Sequence, residues 1–298
     1  MKDYTNKTVY IGIDVHKKTY AVTAICDGEV VKKDTMTAYP EKLIGYIKKY
    51  FKGGKVNTVY EAGFSGFYLH RHLLSQSINN IVVHPASIKV SARDRVKTDK
   101  RDSLKMAKEL SKGELRGINV PSEKRELFRI LTRTRSQLVD TKKRIGNQIK
   151  SLLFTQGLID PNYDTKMSKA WIRKIQEIKM PEELKYSINL LIQLWFDLDS
   201  KVNEVLKQLR EQAKIDPADI VYRSIPGIGA LSARILANEL GDMKHFANEK
   251  GLFSYTGLTP SEYSSGEQRR LGNISRQGKS LLRMILIQAA WRNIEKDQ

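Results

Sequence analysis

Four carboxylates occupy three short segments of this sequence. Asp14 closes the run Val9-Tyr10-Ile11-Gly12-Ile13-Asp14, Glu61 closes Val59-Tyr60-Glu61, and Asp99 and Asp102 fall within Lys97-Thr98-Asp99-Lys100-Arg101-Asp102. In a basic chain an acidic residue is expected in solvent or beside Lys or Arg. Asp14 and Glu61 instead terminate apolar, β-rich runs, where a parallel sheet opens onto its ligand-binding edge. Asp99 and Asp102 are spaced i, i+3 and share a face on a helix. Such a cluster suits Mg²⁺, a hard cation that takes oxygen ligands from a few carboxylates and from a substrate phosphate. The chemistry implied is phosphodiester cleavage by a nuclease-like core.

Each carboxylate also has an ordinary reading. Asp14 alone could cap a strand end, or be the phosphate-facing Asp of an actin-like or sugar-kinase fold. Asp99 and Asp102 stand among Lys97, Lys100, Arg101 and Lys105 and could simply pair with them. The concurrence of strand-end Asp, strand-end Glu and helical Asp pair favours the active-site reading. The later glycine-rich phosphate loops of a sugar kinase are not found.

The elements that must position these residues follow from the pattern. Residues 8–15 and 19–26 are rich in β-branched and aromatic residues and predict strands. Asp27-Gly28 signals a hairpin into a third strand near 29–35. A helix starts at Pro40-Glu41, with Leu43, Ile44, Ile47 and Phe51 at helical spacing, and stops at Gly53-Gly54. A strand at 56–61, a helix over about 66–77, a strand at 80–84 closed by Pro85, and a helix from about Asp99 to Lys112 complete the series. Three antiparallel strands, helix, strand, helix, strand, helix is the order of ribonuclease H-like domains. There the first and fourth strands lie side by side, which would bring Asp14 and Glu61 together.

Composition points to a polyanionic partner. Lys and Arg number 52 against 33 Asp and Glu, a formal charge of +19, and nucleic acid is the usual ligand of such a chain. A membrane surface competes, but no run approaches the ~18 apolar residues of a spanning helix, and the first residues lack the apolar core of a signal peptide. The expected location is cytoplasmic and nucleoid-associated, in a prokaryote. The single Cys26 excludes an intrachain disulfide or a Cys-rich zinc site and reads as a small buried hydrophobe on a strand. His16, His70, His72 and His84 do not form a convincing metal set.

From Pro121 the pattern becomes helical. Leu131, Leu138, Ile145 and Leu152 recur every seven residues. From Pro181, Leu184, Ile188, Leu191, Trp195, Leu198, Val202, Val205 and Leu209 alternate steps of four and three, a coiled-coil seam. Residues 157–180 break the two helices and would let them fold back on each other. A subunit interface or spacer and an intramolecular antiparallel hairpin are both compatible with this seam. Arg125, Arg129, Arg133, Arg135, Lys142, Lys143 and Arg144 read as a solvated face, or as one that tracks nucleic acid.

Near the end, Ile225-Pro226-Gly227-Ile228-Gly229 between two helices is the signature of a helix-hairpin-helix. Gly227 and Gly229 would let backbone N–H groups approach a phosphate; a plain tight turn is the alternative. Residues 257–279 show little helical or strand periodicity but carry hydroxyls, glycines and basic groups. Ser264-Ser265-Gly266 before Arg269 and Arg270 is either a turn on a basic surface or a nucleophilic serine beside guanidinium groups that stabilise a pentacovalent phosphorane.

Taken together, Ile11-Gly12-Ile13-Asp14-Val15-His16-Lys17, Tyr60-Glu61-Ala62, Lys97–Asp102, Ile225–Gly229, Gly257-Leu258-Thr259-Pro260, Ser265-Gly266 and Ile274-Ser275-Arg276-Gln277-Gly278 resemble the DEDD transposases. These are insertion-sequence recombinases related to the Piv invertase, some guided by a bridge RNA. The resemblance spans nearly the whole chain, in order. It implies a RuvC-like domain over 1–116, coiled-coil oligomerisation helices over 117–215, and a small, mostly helical transposase domain over 216–298. It implies Mg²⁺ on Asp14, Glu61, Asp99 and Asp102, and attack on DNA by Ser265, with Ser264 as the alternative, through a covalent phosphoserine. In such a homo-oligomer, a dimer or tetramer, the serine of one subunit would complete the metal site of another. Arg269, Arg270, Arg276 and Lys279 would contact nucleic acid. The expected partners are element and target DNA and a structured guide RNA, with no membrane. The competing readings are a Holliday-junction-type nuclease that hydrolyses with water, and a non-catalytic nucleic-acid-binding protein.

Overall fold

A computed structural model describes residues 3–88, 99–160, 167–262, 268 and 270–294; of Asp99 and Lys100 it describes the backbone alone. The chain divides into two compact units, Met1–Val120 and Pro121–Gln298.

The first unit is built on a five-stranded sheet: β1 (Thr8–Val15), β2 (Thr19–Cys26), β3 (Glu29–Thr37), β4 (Lys55–Glu61) and β5 (Asn79–Val83). Helices α1 (Pro40–Tyr50), α2 (Tyr68–Ser75) and α3 (Asp99–Ser111) are interleaved with the strands. The strand order is β3-β2-β1-β4-β5. β1, β2 and β3 are antiparallel neighbours, whereas β4 runs parallel to β1 and β5 parallel to β4. Asp27 and Gly28 both take positive φ, 53° and 80°, as a tight turn between twisted antiparallel strands requires. The first and fourth strands are therefore adjacent, as the element order predicts.

Period-two alternation decides which face each β1 residue occupies. Val9, Ile11 and Ile13 are fully buried in the cluster that contains Leu43, Ile44 and Ile47 of α1 and Leu69 and Leu73 of α2. Tyr10, Gly12 and Asp14 point to the other face, which α3 covers. Gly12 makes that approach possible: a Cβ there would stand 2.1 Å from the Ser103 carbonyl oxygen and 2.6 Å from Ala107 N. Cys26 is buried on β2 as a free thiol.

The second unit contains α4 (Glu123–Thr155), α5 (Lys169–Gln176), α6 (Glu182–Ile215), α7 (Pro217–Arg223), α8 (Ala230–Leu240), α9 (Glu249–Thr256), β6 (Pro260–Glu262), β7 (Leu271–Ile274) and α10 (Ser280–Ile294). α4 and α6 pack antiparallel: Lys142 pairs with Asp199, Gly146 faces Trp195, and Arg125 reaches Asp216 beyond the end of α6. Ile188, Trp195, Val202 and Leu209 of the heptad seam are buried in this chain. The segment expected only to break the helices contains α5. Ser168 caps it by accepting from Trp171 N at 3.1 Å, and Trp171, Ile172 and Ile175 join the core with Ile149, Leu153, Ile188 and Ile192. The stretch without periodicity carries an antiparallel strand pair, β6 with β7. Among the described residues, no helix is long and apolar enough to cross a membrane.

Candidate functional site

Asp14 and Glu61 are the residues next after Ile13 and Tyr60, a registered pair on the parallel strands β1 and β4. Neighbouring strands lie ~4.8 Å apart, so the two backbones hold these carboxylates side by side at the carboxyl edge of the sheet. Both lie on the same face. Val59, two residues before Glu61, packs against Met106 of α3, just as Gly12, two before Asp14, packs against Ser103 and Ala107. Asp14 is partly buried and Glu61 exposed. His16 Nε2 sits 3.2 Å from Asp14 Oδ2, a contact across a two-residue spacing that the sequence reading did not foresee.

Helix α3 crosses this face in the direction opposite to β1. Its middle is tied down by a buried hydrogen bond between Ser103 Oγ and Thr23 Oγ1 at 2.8 Å. Its far end, at Lys108, Ser111 and Lys112, lines two clefts of about 510 and 690 Å³ with Thr8, Tyr10, Asn57 and Asn79. Those residues begin the strands, so the start of α3 lies over the edge where the strands end. Asp99 begins the helix one turn before Ser103, a rise of ~6 Å. Gly12 to Asp14 is ~6.6 Å along the strand, so Asp99 stands level with Asp14. Asp102 is half-buried; the Asp99 side chain, Lys97 and Thr98 lie outside the described residues. Among the described side chains, no group of three His, Cys, Asp or Glu closes into a metal-holding set. Asp14, Glu61 and Asp102, among the described side chains, offer carboxylate oxygens, the donor type that a hard divalent cation takes.

In the second unit, the expected nucleophiles Ser264 and Ser265, with Gly266 and Arg269, lie outside the described residues. Arg270 Nη2 donates to Gln268 Oε1 at 3.0 Å. Arg276 is exposed, with a left-handed backbone at φ 55°. Lys279 faces inward, and its ammonium rests on the buried Glu239. The two hairpin glycines do different work. Gly227, at φ 77°, would place a Cβ 2.7 Å from the Ala289 carbonyl oxygen, so it serves the packing of α10. Gly229, at the start of α8, has no atom within 4 Å of such a Cβ and is exposed.

Of the basic residues of α4 expected on a solvated or nucleic-acid-tracking face, Arg125, Arg129 and Arg133 are structural, whereas Lys143 and Arg144 are exposed. Arg125 donates to Ala237 O at 2.9 Å, and Arg129 donates to Asn238 O at 2.9 Å and Glu239 O at 2.7 Å. Those carbonyls lie in the last turn of α8, where a helix runs short of backbone donors and its dipole is negative. Arg133 adds bonds to the Glu239 carboxylate at 2.9 and 3.1 Å. Burial alone would raise the Glu239 carboxyl, but Arg133 and Lys279 outweigh it and hold it below the usual range. Buried Arg234 donates to Asp216 at 2.5 Å and to Asn238 at 2.8 Å. Burial likewise works against the Asp216 charge, yet Arg125 and Arg234 bring its carboxyl down to about 2. The spacing of Arg125, Arg129 and Arg133 at i, i+4, i+8 marks one face, but nothing local names their acceptors.

A mixed sheet in this order, with carboxylates at the ends of its first and fourth strands and a helix start above them, has the architecture of a ribonuclease H-like DEDD domain. Residues 11–155 match the DEDD transposase family of the IS110 type, and residues 221–298 match the Transposase IS116/IS110/IS902 family. The chain belongs to the DEDD transposases, enzymes that cut and join DNA at insertion sequences. It is similar to the y4qE protein of Sinorhizobium fredii (strain NBRC 101917 / NGR234), itself carried as an inferred transposase, at 28% identity over 96% of this chain and 72% of that one. It is similar to the transposase for insertion sequence element IS1533 of Leptospira borgpetersenii at 26% identity, over 96% and 86% of the two chains. The transposase for IS1111A of Coxiella burnetii (strain RSA 493 / Nine Mile phase I) is 24% identical over 78% and 64%.

Proposed function

We propose that this transposase cleaves and rejoins insertion-sequence DNA through a covalent phosphoserine, with Asp14, Glu61, Asp99 and Asp102 holding Mg²⁺. The observation that carries the metal reading is the placement of Asp14 and Glu61 on one face of neighbouring parallel strands, beneath the start of the helix that bears the other two. A bound divalent ion would polarise and orient the scissile phosphate. Ser265, or Ser264 in its stead, attacks that phosphate. The Oγ–P bond forms as the bond from phosphorus to one deoxyribose oxygen breaks, so the phosphodiester is conserved and strands rejoin without ATP. Arg269, Arg270 and Arg276 neutralise the charge that develops on the phosphoryl oxygens. Lys279, held by Glu239, contributes to the fold of this region.

Under the same reading, α7, the Ser224–Gly229 turn and α8 form a helix-hairpin-helix in which Gly229 is the phosphate-facing glycine. The seam of α4 and α6 acts as a coiled-coil spacer in a dimer or tetramer whose subunits share active sites. A structured guide RNA selects the target, and the +19 charge supports two polyanionic partners.

The test is covalent trapping. The protein is incubated with Mg²⁺, element-junction DNA and RNA transcribed from the flanking noncoding region, then run on a denaturing gel. A protein–DNA adduct lost in Ser265→Ala and in Asp14→Asn is the expected result. Cleaved DNA without an adduct would make water the nucleophile and the chain a junction-type nuclease.

A further inference from the structure

The strand pair β6–β7 stands on a base that a single guanidinium closes. Arg283, in the first turn of α10, directs Nη1 at three carbonyl oxygens: Gly278 at 2.9 Å, Thr256 at 3.0 Å and Arg276 at 3.2 Å. These carbonyls come from the end of α9 and from the two ends of the turn that follows β7. The same base is drawn tight by backbone. Ser275 N donates to Thr259 O at 2.8 Å and Arg276 N to Gly257 O at 3.1 Å, continuing the ladder beyond the strands. A Cβ on Gly257 or Gly278 would stand 2.4 Å from a carbonyl oxygen of the opposing segment, so no side chain fits between them.

Arg276 is the strained point of this base. Its φ of 55° lies in the left-handed region, which a non-glycine residue keeps only when its surroundings hold it. Its N–H is bound to Gly257 and its carbonyl to Arg283, so both peptide groups that define the conformation are gripped. Arg283 is half-buried, so its charge is committed to these backbone dipoles.

We propose that Arg283 is a positioning residue: it locks the base of the β6–β7 strand pair and holds Arg276 in its left-handed conformation, which aims the Arg276 guanidinium at the DNA phosphate. Its functional consequence rests on the phosphoserine reading above. The basic residues of this region then divide in two. Arg276 faces solvent to meet phosphate, and Arg283 faces backbone to set where Arg276 points.

The experiment compares Arg283→Met, which keeps the stem and removes the donors, with Arg283→Lys, whose three N–H donors still reach carbonyl oxygen. Full-length protein and duplex element-junction DNA are used. In Arg283→Met, amide exchange at Ser275 and Arg276 should accelerate on the order of tenfold, the effect of one lost hydrogen bond. Exchange at core amides of Leu236 and Ile285 should not change. Adduct formation at saturating DNA should slow about 100-fold, as a misplacement of ~1 Å does, while DNA affinity falls no further than in Arg276→Ala. Arg283→Lys should recover most of both losses. A fall in DNA affinity in step with the rate would make Arg283 a phosphate contact and overturn the proposal. Unchanged exchange at Ser275 and Arg276, or equal acceleration in the core, would also overturn it. If wild-type protein forms no adduct, the serine reading fails separately, and the exchange data still decide the role of Arg283.

Discussion

Gly12 and Ser103 are in backbone contact: the place of a Cβ on Gly12 is 2.1 Å from the Ser103 carbonyl oxygen. This closeness lets α3 lie flat on β1 and brings its acidic first turn over Asp14 and Glu61. Gly12→Ala would push α3 off the sheet. Overpacking of a tight core costs about 1–3 kcal/mol, and here backbone rather than a flexible side chain must yield. A thermal melt should show that loss, and Mg²⁺-dependent adduct formation should fall further than the lost folded fraction explains.

Asp14→Asn should abolish adduct formation while leaving DNA affinity equal or higher, because one negative charge leaves a surface that meets phosphate. Filter binding at fixed salt alongside the trapping gel would read both. Weaker DNA binding together with retained adduct would remove Asp14 from the metal site.

The basic residues near the C-terminus should separate by salt dependence. Arg270→Ala and Arg276→Ala should each weaken DNA binding and lower the slope of log affinity against log salt by about 1, the effect of one lost phosphate contact. Lys279→Met should leave that slope unchanged and lower the melting temperature, because Glu239 would keep its burial and lose a counter-charge.

The two hairpin glycines should respond oppositely to alanine. At Gly227 the new Cβ meets the Ala289 backbone and the φ of 77° is unfavourable, so the protein should lose stability. At Gly229, with φ −80° and open space around it, alanine should be neutral or stabilise by about 0.4–1 kcal/mol. DNA affinity should fall there, because the methyl group occupies the approach to the start of α8. Calorimetry and DNA titration of the two variants would check this.

Acid should loosen the second unit through Asp216. Its folded carboxyl titrates at about 2 against the ordinary 3.8, so its ionised form stabilises the fold by about 2 kcal/mol. That contribution is complete above pH 3.8 and is lost as pH falls toward 2. Asp219 runs the other way: burial raises its carboxyl, so its charge opposes folding at neutral pH and its protonation relieves that opposition. Asp216→Asn should flatten the acid limb of stability against pH, and Asp219→Asn should raise stability at pH 7. Removing Arg125 instead should cost about 3–5 kcal/mol, because a buried carboxylate loses a partner.

The sequence by itself determined the sheet and the carboxylate edge. Alternation in β1, the Asp27-Gly28 turn and the element order suffice to place β1 beside β4, and adjacency of parallel strands then brings Asp14 to Glu61. These are local periodicities joined by one topological rule, so they leave a trace in every residue. The heptad seam, interrupted once, marked α4 and α6 as packing helices but left an intramolecular fold-back and a subunit interface open; their antiparallel pairing came from the tertiary structure. Ser168 before Trp171, Ile172 and Ile175 was a readable start for α5. β6 and β7 were not readable, because strands of three and four largely exposed residues show no alternation. Only the tertiary structure decided what the arginines do. Arg125, Arg129 and Arg283 bind backbone carbonyls, and a carbonyl oxygen is the same at every residue, so the acceptor carries no sequence signature. Arg133 and Lys279 meet at Glu239 from positions 106 and 40 residues away, a convergence that packing of α4, α8 and α10 creates and spacing cannot encode.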